Sequence, residues 1–504
     1  MSLAVVQTRA SAGIKAPPVT VETHISNGLP SLSIVGLPET TVKESRDRVR
    51  SALLNSQFDF PIRRITINLA PADLPKQGSR FDLAIALGIL AASKQIPGNV
   101  LNDYEFIGEL ALSGELRPVS GILPFALAAH KAKHKIILPS ENALEASLSQ
   151  HTVVFPAKNI LQICAHLHGR EQLLPYTFNA VPPETKILAD FSEVYGQSHA
   201  KRALEIAASG RHSLLLRGAP GTGKTMLATR LISILPALND EEALELATIR
   251  SIAGKTLELH NWKLPPFRSP HHTASSIALV GGGSPPRPGE ISLAHQGILF
   301  LDELPEFNRQ VLESLREPLE SGTITISRAA RQAEFPAKFQ LIAAMNPCPC
   351  GYFGSTTKHC ECSAANIQRY HKRLSGPFLD RIDMQLEVAL SFKNCFFKKT
   401  LIEDSKTIRS RVQKARDKQL HCRGILNNSL GGETLKKACE ISNKDQALLE
   451  TAFEKFQLSA RAYHRILRVA RTIADMADCE KIETLHLMEA LSYRHCEYFS
   501  VHLK

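Results

Sequence analysis

The octapeptide GAPGTGKT, from Gly218 to Thr225, follows the short stretch HSLLLR and precedes an apolar run. We predict a buried strand over Ser213 to Leu216 and a helix from Lys224 onward, joined by this glycine-rich turn. In such a turn, consecutive backbone N–H groups point at phosphate oxygens, and the start of the helix adds a positive dipole. The strand, turn and helix together predict a P-loop, whereas a glycine-rich turn alone would not.

The predicted ligands of this loop are ATP and Mg²⁺. The Lys224 ammonium is expected to reach the terminal phosphates, and the Thr225 hydroxyl is expected to bind the magnesium ion. The positions predicted to contact nucleotide are Gly218, Ala219, Pro220, Gly221, Thr222, Gly223, Lys224 and Thr225.

Two further apolar segments end in residues suited to phosphate chemistry. GILFLDE ends in Asp302 and Glu303, which we expect to hold the magnesium ion through water and to polarise the attacking water, respectively. FQLIAAMN ends in Asn346, whose amide is expected to lie between the γ-phosphate and that water. An Asn before a proline is also typical of a turn, so the role of Asn346 depends on the other two motifs.

The composition is that of a globular, multidomain protein. The chain has 504 residues, 43% of them hydrophobic and 22% charged, and its length suits roughly two to four domains. We expect a cytoplasmic protein without a membrane partner, because no run is long and apolar enough to span a bilayer and the N-terminus lacks a secretory signal. The net charge of +11 attracts polyanions, which leaves both nucleic acid and an acidic protein open as partners.

Four of the ten cysteines lie in the stretch CPCGYFGSTTKHCEC. Cys348 and Cys350 are separated from Cys360 and Cys362 by a polar loop that contains glycine, and four thiolates in two close pairs suit a tetrahedral Zn²⁺ ion. The pairs have C-x-C spacing rather than the more usual C-x₂-C, so four free thiols remain the alternative.

Five longer stretches occur in order over almost the whole chain: VYGQSHAKRALEIAA, FRSPHHTASSIALVGGGSPPRPGEISLAHQGILFLDELPEF, NPCPCG, SGPFLDRID and LSARAYHRILRVARTIAD. Together they resemble the ComM/YifB family, the magnesium-chelatase-like branch of the AAA+ ATPases. The resemblance implies a ring-forming motor. It identifies Asn346 with the first sensor, Arg381 with the arginine finger that acts on a neighbouring subunit's nucleotide, and Arg461 with the second sensor.

Two segments are candidates for contacting a polymer inside such a ring. In TITISRAARQAEFPAKF, Thr323 to Ile326 alternate as a strand, Arg328 to Gln332 form a basic turn, and a return strand leads towards Asn346. This pattern resembles a hairpin that faces the pore in related helicases, and Arg328 and Arg331 are the candidate DNA-phosphate contacts. Exposed turn arginines that only aid solubility are the alternative. The second candidate is LVGGGSPPRPGE; His271 and His272 before it lack a third metal ligand, which favours a structural or nucleotide-adjacent role.

The segment before the P-loop alternates strand-like and helical patterns, which predicts an α/β domain. The predicted strands are LSIVGL, ITINLA, FIGELAL and KIILP, and the predicted helices are Thr41 to Leu54, Phe81 to Ala92 and Leu123 to Ala132. Two of its sequence segments, PKQGSRFDLAIALGIL and IGELALSGELRPVSGIL, resemble the protease domain of Lon. Lon-type cleavage needs a serine nucleophile and a lysine base, but here the serine position falls on Arg80 and the lysine position on Leu123. Ser79 leaves an offset nucleophile open. We expect a domain that has kept the fold and lost the reaction.

The predicted fold class is α/β, with an N-terminal Lon-protease-like domain, a P-loop AAA+ core and a C-terminal helical lid. The Lon-like domain is assigned to residues 1–165 and a proline-containing linker to residues 166–188. The AAA+ core is assigned to residues 189–390, with the four-cysteine loop at 348–362, and the lid to residues 391–504.

The lid carries many cations. A solvated basic helix face is predicted from Lys398, Lys399, Lys406, Arg409, Arg411, Lys414, Arg416 and Lys418. A contribution of these cations to DNA affinity is the alternative. In LSARAYHRILRVARTIAD the apolar positions follow helical spacing, and Arg465 and Arg471 are interpreted as solvated cations. Arg461 lies nearest the helix start and is the expected nucleotide contact.

The resemblance implies a homo-hexameric, magnesium-dependent ATPase that translocates on single-stranded or branched DNA. Its role would be a helicase for branch migration of recombination intermediates, as in natural transformation, with recombination proteins as candidate partners. One alternative is a chelatase motor subunit, which requires acidic integrin-binding partners and porphyrin chemistry, and to which a Lon-like domain is foreign. The other is a Lon-like ATP-dependent peptidase. A non-catalytic scaffold is disfavoured, because each nucleotide-site position holds a competent side chain.

Overall fold

The computed structural model describes residues 2–150, 152–177, 189–255, 261–283, 286–328, 331–355, 358–389, 403–456 and 458–494. Two α/β units and a helical unit follow one another along the chain, which confirms the predicted fold class. None of the helices within these ranges combines the length and the apolar character that crossing a membrane requires.

The first unit combines a mixed sheet with six helices in its described part. Its strands are β1 (Ser2–Arg9), β2 (Pro18–Ser26), β3 (Ser31–Val35), β4 (Arg64–Ala70), β5 (Tyr104–Phe106), β6 (Glu109–Leu110), β7 (Leu116–Arg117), β8 (Lys135–Pro139) and β9 (Val154–Ala157). Its helices are α1 (Thr40–Lys43), α2 (Ser45–Asn55), α3 (Asp82–Ala92), α4 (Ile122–Lys131), α5 (Ala143–Ser147) and α6 (Ile160–Leu167).

Seven of these strands form one sheet in the order β3-β4-β2-β1-β5-β8-β9. β1 and β2 form its long antiparallel pair, from Ser2 opposite Ile25 to Arg9 opposite Pro18. Along β2, buried residues alternate with more exposed ones, which is the pattern of a strand with one face on a core. Helix α3 packs on the core, and nearly every residue of it is buried, in keeping with its continuous apolar sequence.

The second unit contains the glycine-rich loop. Its helices are α7 (Ser198–Gly210), α8 (Lys224–Ile234), α9 (Asp240–Ile252), α10 (Ser276–Val280), α11 (Glu290–Leu293), α12 (Arg309–Ser314), α13 (Arg316–Ser321), α14 (Ala364–His371) and α15 (Gly376–Leu379). Its strands are β10 (Leu214–Arg217), β11 (Phe267–Arg268), β12 (Gly281–Gly282), β13 (Arg287–Pro288), β14 (Ile298–Leu301), β15 (Thr323–Arg328), β16 (Arg331–Pro336), β17 (Gln340–Met345) and β18 (Met384–Glu387).

Five strands of this unit form a parallel sheet in the order β11-β14-β17-β10-β18. All residues of β10, β14 and β17 are buried, as expected for strands covered on both faces. The carboxyl ends of parallel strands lie at one edge of a sheet. The glycine-rich loop, Asp302 and Asn346 therefore meet at a single edge.

The helical unit shares a core with the second unit. Its helices are α16 (Ser405–Arg423), α17 (Gly432–Ala438), α18 (Asn443–Phe456), α19 (Ala460–Met476) and α20 (Thr484–Ser492). Ile466 and Ala470 of α19 belong to the same buried cluster as Leu216 of β10 and Leu227 of α8. The apolar stripe predicted for α19 thus packs against the strand and helix that flank the glycine-rich loop.

Several predicted elements of the first unit are confirmed, whereas its first two strands were not predicted from local sequence patterns. KIILP forms β8, and the helices predicted at Phe81–Ala92 and Leu123–Ala132 correspond to α3 and α4. The prediction does not include β1 and β2. Helix α6 crosses the predicted boundary at residue 165, and Asn179–Thr185 of the predicted linker lies outside the described residues.

Asp383 is a buried anchor between the second unit and the helical unit. Its carboxylate accepts from the Ser213 N–H at 2.8 Å and hydroxyl at 2.9 Å, and it pairs with Arg465 of α19. Burial would raise the pKa of Asp383, but the charge of Arg465, the nearby His212 and the Ser213 hydrogen bonds outweigh it and hold the pKa at about 2.

We predict that Asp383→Asn lowers the free energy of unfolding by about 3–5 kcal/mol, because it leaves Arg465 buried without a counter-ion. The pKa of about 2 lies below the ~3.9 of an unfolded aspartate, so this stability is present above pH ~4 and is lost as the pH falls towards 2. Urea unfolding at several pH values tests this prediction. Asp478→Asn changes a carboxylate that is exposed beside Lys418, and it should leave the free energy of unfolding nearly unchanged.

Candidate active site

The glycine-rich loop joins β10 to α8 at the carboxyl edge of the parallel sheet. Gly223 caps α8 with a φ of 84°, a left-handed conformation that is costly for a residue with a Cβ atom. The Gly218 N–H donates to the Met345 carbonyl at 3.2 Å, which fastens the loop to the end of β17. The loop therefore has the strand and helix context that the sequence predicts for a phosphate site.

Lys224 is buried, and its ammonium makes three hydrogen bonds. It donates to the carbonyls of Gly218 at 2.8 Å and Ala219 at 3.0 Å, and to the side-chain oxygen of Asn346 at 3.2 Å. Burial lowers the pKa of Lys224, although the charge of Asp302 opposes this. The predicted phosphate-binding lysine and the predicted first sensor are thus in direct contact, 122 positions apart in the chain.

The predicted magnesium ligands also lie together. The Thr225 hydroxyl donates to one oxygen of the Asp302 carboxylate at 2.7 Å, and the other oxygen accepts the Glu303 N–H at 2.9 Å. A hydroxyl beside a carboxylate, at the start of a helix whose lysine points at the same loop, is the set of oxygen ligands that suits Mg²⁺ with a nucleotide phosphate.

Glu303 follows Asp302 in a strained backbone conformation. Its φ is 52°, in the left-handed region, which costs a non-glycine residue about 1–2 kcal/mol. Its side chain is half exposed, and His272 Nδ1 lies 3.2 Å from its carboxylate. The rings of His271 and His272 are 4.1 Å apart, so the histidine pair lies next to the predicted catalytic carboxylate. The sequence signal for this neighbour was the double histidine, with no indication of its partner.

Arg381, the predicted arginine finger, is buried within its own subunit. Its side chain is 5% exposed, pairs with Glu320 at 2.6 Å and donates to the Pro377 carbonyl at 2.7 Å. Glu320 lies in α13, three residues before β15 begins. Sequence reasoning did not identify Glu320, because a charge partner 61 positions away leaves no local pattern. In this conformation Arg381 would have to leave Glu320 to reach another subunit.

The arginines of α19 that are exposed to solvent are not the ones predicted to be exposed. Arg461 lies exposed in the first turn of the helix, which Ser459 caps as predicted. The interpretation of Arg465 and Arg471 as solvated cations is wrong. Arg465 pairs with Asp383, and Arg471 is buried and donates to two backbone carbonyls after the helix, both at 2.7 Å.

The predicted solvated basic face of α16 is also wrong for several of its members. Arg411 pairs with Glu205 of α7 at 2.6 Å, and Arg416 donates to the Ala208 carbonyl at 2.7 Å. Arg409 donates to a carbonyl of α8 at 2.9 Å. These guanidinium groups hold α16 to the second unit and are therefore poor candidates for contacting DNA. Lys398 and Lys399 lie outside the described residues.

The four cysteines of the predicted metal loop form one cluster. The Sγ atoms of Cys348, Cys350, Cys360 and Cys362 all lie within 4.8 Å of one another. The Cys348 Sγ lies 3.3 Å from that of Cys350 and 3.6 Å from that of Cys360. No other group of three or more His, Cys, Asp or Glu within the described residues has metal-binding spacing.

The predicted hairpin is formed by β15 and β16. They pair antiparallel, from Thr323 opposite Pro336 to Arg328 opposite Arg331, so both candidate DNA contacts lie at the same end of the pairing. Residues 329–330 and the side chains of Arg328 and Arg331 lie outside the described part of the chain. Their predicted contact with DNA stays a prediction.

The hairpin meets the first unit. A Cβ atom on Gly13 would lie 3.4 Å from that of Ala333 in β16. A cavity of about 600 Å³ opens between the units, lined on one side by Arg80 and on the other by Arg287 of β13. The first unit therefore lies beside both candidate polymer-contacting segments.

The residues at the positions of the Lon serine and lysine make structural contacts in this chain. Arg80 donates to the Ser120 carbonyl at 3.1 Å. Leu123 is buried against Ala247 of α9, so the lysine position is part of the contact between the two α/β units. Ser79 donates to the Glu109 carboxylate rather than to a lysine.

Family models cover most of the chain. The model described as "Magnesium chelatase, subunit ChlI" matches residues 190–394, and "Magnesium chelatase, subunit ChlI C-terminal" matches residues 402–494. "Subunit ChlI of Mg-chelatase" matches residues 21–142. The sequence argument against a chelatase motor subunit was that a Lon-like domain is foreign to such proteins. The match to residues 21–142 weakens that argument, because its model is itself described as a chelatase subunit.

Two similar proteins match over nearly their full length, and a third matches only part of the first unit. The chain is 52% identical to the competence protein ComM of Haemophilus influenzae over 98% of both chains. It is 49% identical to the uncharacterized protein YifB of Escherichia coli, over 100% of this chain and 99% of that protein. The Lon protease of Mycoplasma mobile is 34% identical over 86 residues, which is 17% of this chain and 10% of that protease.

We predict that Glu303→Gln retains nucleotide binding and lowers the ATP turnover rate about 10²–10⁴-fold, because it removes the carboxylate that would orient and deprotonate water. Lys224→Ala should instead abolish binding of a fluorescent ATP analogue, since it removes the buried ammonium of the loop. Glu454→Gln, an exposed carboxylate on α18, is the control and should leave both quantities within about twofold. Full turnover by Glu303→Gln would refute the assignment of Glu303.

Proposed function

The chain belongs to the ComM/YifB family of magnesium-chelatase-like AAA+ ATPases, and from this premise we propose that it is a ring-forming motor that translocates on DNA. Its proposed role is a helicase that drives branch migration of recombination intermediates during natural transformation. The observation that carries the motor assignment is the meeting of Lys224, Asn346 and the Thr225–Asp302 pair at one sheet edge.

The proposed reaction is hydrolysis of the γ-phosphate of ATP. Bound MgATP supplies the phosphoryl group and the metal charge that offsets its oxygens. Thr225 and Asp302 would hold the magnesium ion, and Lys224 would turn from its carbonyl partners to the phosphates. Glu303 would accept a proton from the attacking water, and Asn346 would orient it. His272 would position the Glu303 carboxylate.

The proposal of DNA as the polymer is supported by three observations. The most similar full-length relative described above is a competence protein. The chain carries a net charge of +11, which favours a polyanion. Arg328 and Arg331 are paired in the backbone register at the end of the β15–β16 hairpin, and their two cations would contact successive phosphates.

A chelatase motor subunit is the second candidate, because three family models carry that description. It predicts that the ATPase responds to a porphyrin-binding partner rather than to DNA. A Lon-like peptidase is disfavoured, because Leu123 occupies the position of the catalytic lysine of Lon and the Ser79 hydroxyl donates a hydrogen bond to Glu109. ATP-dependent casein degradation that is abolished by Ser79→Ala would revive it.

We also propose that the four-cysteine cluster binds Zn²⁺. The ion prefers four thiolates in a tetrahedron, and the four Sγ atoms lie close enough to share one ion. The metal would be structural, because all four ligand positions are occupied by protein.

A homo-hexamer in which Arg381 acts on the neighbouring subunit's nucleotide completes the proposal, with Arg461 as the lid sensor. We predict that Arg381→Ala lowers ATP turnover at least about 10²-fold. Mixing it with Glu303→Gln subunits should restore part of the activity, because some interfaces then pair an intact Glu303 with an intact Arg381. If the mixture shows no more ATP turnover than the sum of the two variants alone, action in trans is refuted. A thermal melt of Arg381→Ala controls for the loss of stability that follows from losing the contact with Glu320.

We predict that single-stranded or forked DNA stimulates ATP hydrolysis and that the protein displaces an annealed oligonucleotide. Arg328→Ala with Arg331→Ala should weaken DNA binding and reduce the slope of log affinity against log salt by about 2. Lys436→Ala with Lys437→Ala removes two exposed cations of α17 and is the matched control. An ATPase indifferent to DNA and stimulated by a porphyrin-binding partner would favour the chelatase function.

A further inference from the structure

We propose that the four-cysteine loop is part of the nucleotide site, and that metal bound to its thiolates holds the P-loop in its phosphate-binding shape. The proposal rests on the zinc binding proposed above and adds a function for the metal. It predicts that nucleotide affinity depends on metal bound to a loop that touches no phosphate.

The sulfur geometry suits a metal ion rather than a disulfide. The Cys350 Sγ lies 3.3 Å from that of Cys348 and 3.5 Å from that of Cys360. A disulfide needs about 2.05 Å. A tetrahedral zinc ion with Zn–S bonds of about 2.3 Å separates its sulfurs by about 3.8 Å. These separations differ from the tetrahedral value by only a few tenths of an ångström, and all four sulfurs lie within 4.8 Å of one another.

Backbone N–H groups point at the sulfurs. The Phe353 N–H donates to the Cys348 Sγ at 3.3 Å, and the Cys350 N–H donates to the Cys362 Sγ at 3.4 Å. Such hydrogen bonds stabilise negative charge on sulfur, and a metal-binding cysteine is a thiolate. Two of the four sulfurs are thus already placed as acceptors for N–H groups of the loop backbone.

The loop packs directly on the P-loop through Gly351. This glycine has a φ of 85°, and a Cβ atom there would lie 2.6 Å from both Cγ and Cδ of Pro220. Only a glycine permits so close an approach in that backbone conformation. Pro220 is the third residue of GAPGTGKT, so the contact bears on the middle of the phosphate-binding turn.

The same segment contacts the P-loop at a second point. Asn346 accepts from the Lys224 ammonium, and Cys348 follows two residues later. The carbonyl of Pro347, between them, lies 2.8 Å from His371 Nε2. From Asn346 to Gly351 the chain therefore touches the P-loop lysine and the P-loop proline, with the first metal ligands between these contacts.

A metal is needed because the loop has little core of its own. Among its described residues, Cys348 and Gly351 are buried and the rest are partly or fully exposed. Joining Cys348 and Cys350 to Cys360 and Cys362 closes the loop and removes conformational freedom that few packing contacts oppose. Without the metal, the support under Pro220 would lose its fixed shape.

The first experiment measures metal and nucleotide together on the full chain. We expect about one zinc per chain by mass spectrometry of the metal. Zinc is released with a mercurial reagent in the presence of a chelator, and excess small thiol then takes the mercury off the cysteines. This treatment should weaken binding of a fluorescent ATP analogue at least about tenfold, and added Zn²⁺ should restore it. Circular dichroism and thermal unfolding of the metal-free protein separate this effect from global unfolding.

Variants separate the two proposals. Gly351→Ala should keep the zinc and weaken nucleotide binding, since its Cβ atom displaces Pro220. Cys350→Ser should lose both, whereas Cys422→Ser changes an exposed cysteine of α16 and should lose neither. In Pro220→Ala, metal removal should change nucleotide affinity less than in the wild type, because the contact is already weakened.

The outcomes are distinct. A protein that holds no stoichiometric metal overturns zinc binding, and with it this inference. A zinc protein whose nucleotide affinity stays within twofold after the metal is removed overturns the inference and leaves zinc binding in place. Unchanged nucleotide binding by Gly351→Ala also counts against the inference.

Discussion

The parallel pairing of β10 with β17, and of β17 with β14, is the constraint on which the site depends. It sets the ends of three strands side by side, although their sequences are far apart. Thr225 reaches Asp302 across 77 positions, and Lys224 reaches Asn346 across 122. Because all residues of the three strands are buried, their register is fixed by packing on both faces. A slip of one residue would move the predicted ligands away from the loop.

The features that the sequence predicts well are those with a local signature. The P-loop, the carboxylate pair after β14 and the helices α3 and α4 each show their pattern within about a dozen residues. The four cysteines also belong here, because their spacing indicated a cluster that the fold brings together. Periodicity and turn chemistry act over short distances, so a single sequence contains them.

The features that sequence reasoning missed depend on distant partners. Arg411 looks like a surface cation until Glu205, 206 positions earlier, is placed beside it, and Arg381 is buried only because Glu320 meets it. A guanidinium group gives no local sign of whether it faces water, phosphate or a carboxylate. The long pair β1–β2 depends on later strands that complete its sheet. Tertiary contact, rather than propensity, decides each of these cases.

The shared core of the second and helical units has a consequence for evolution and for engineering. Ile466 and Ala470 of α19 lie in one cluster with Leu216 and Leu227, so the C-terminal helices are no detachable module. A chain cut before α16 would leave the P-loop strand and helix with apolar surface open to water and prone to aggregation. Grafting these helices onto a different ATPase would require the recipient's sheet to offer a matching apolar seam. The two units are therefore expected to be inherited, and to melt, as one cooperative body.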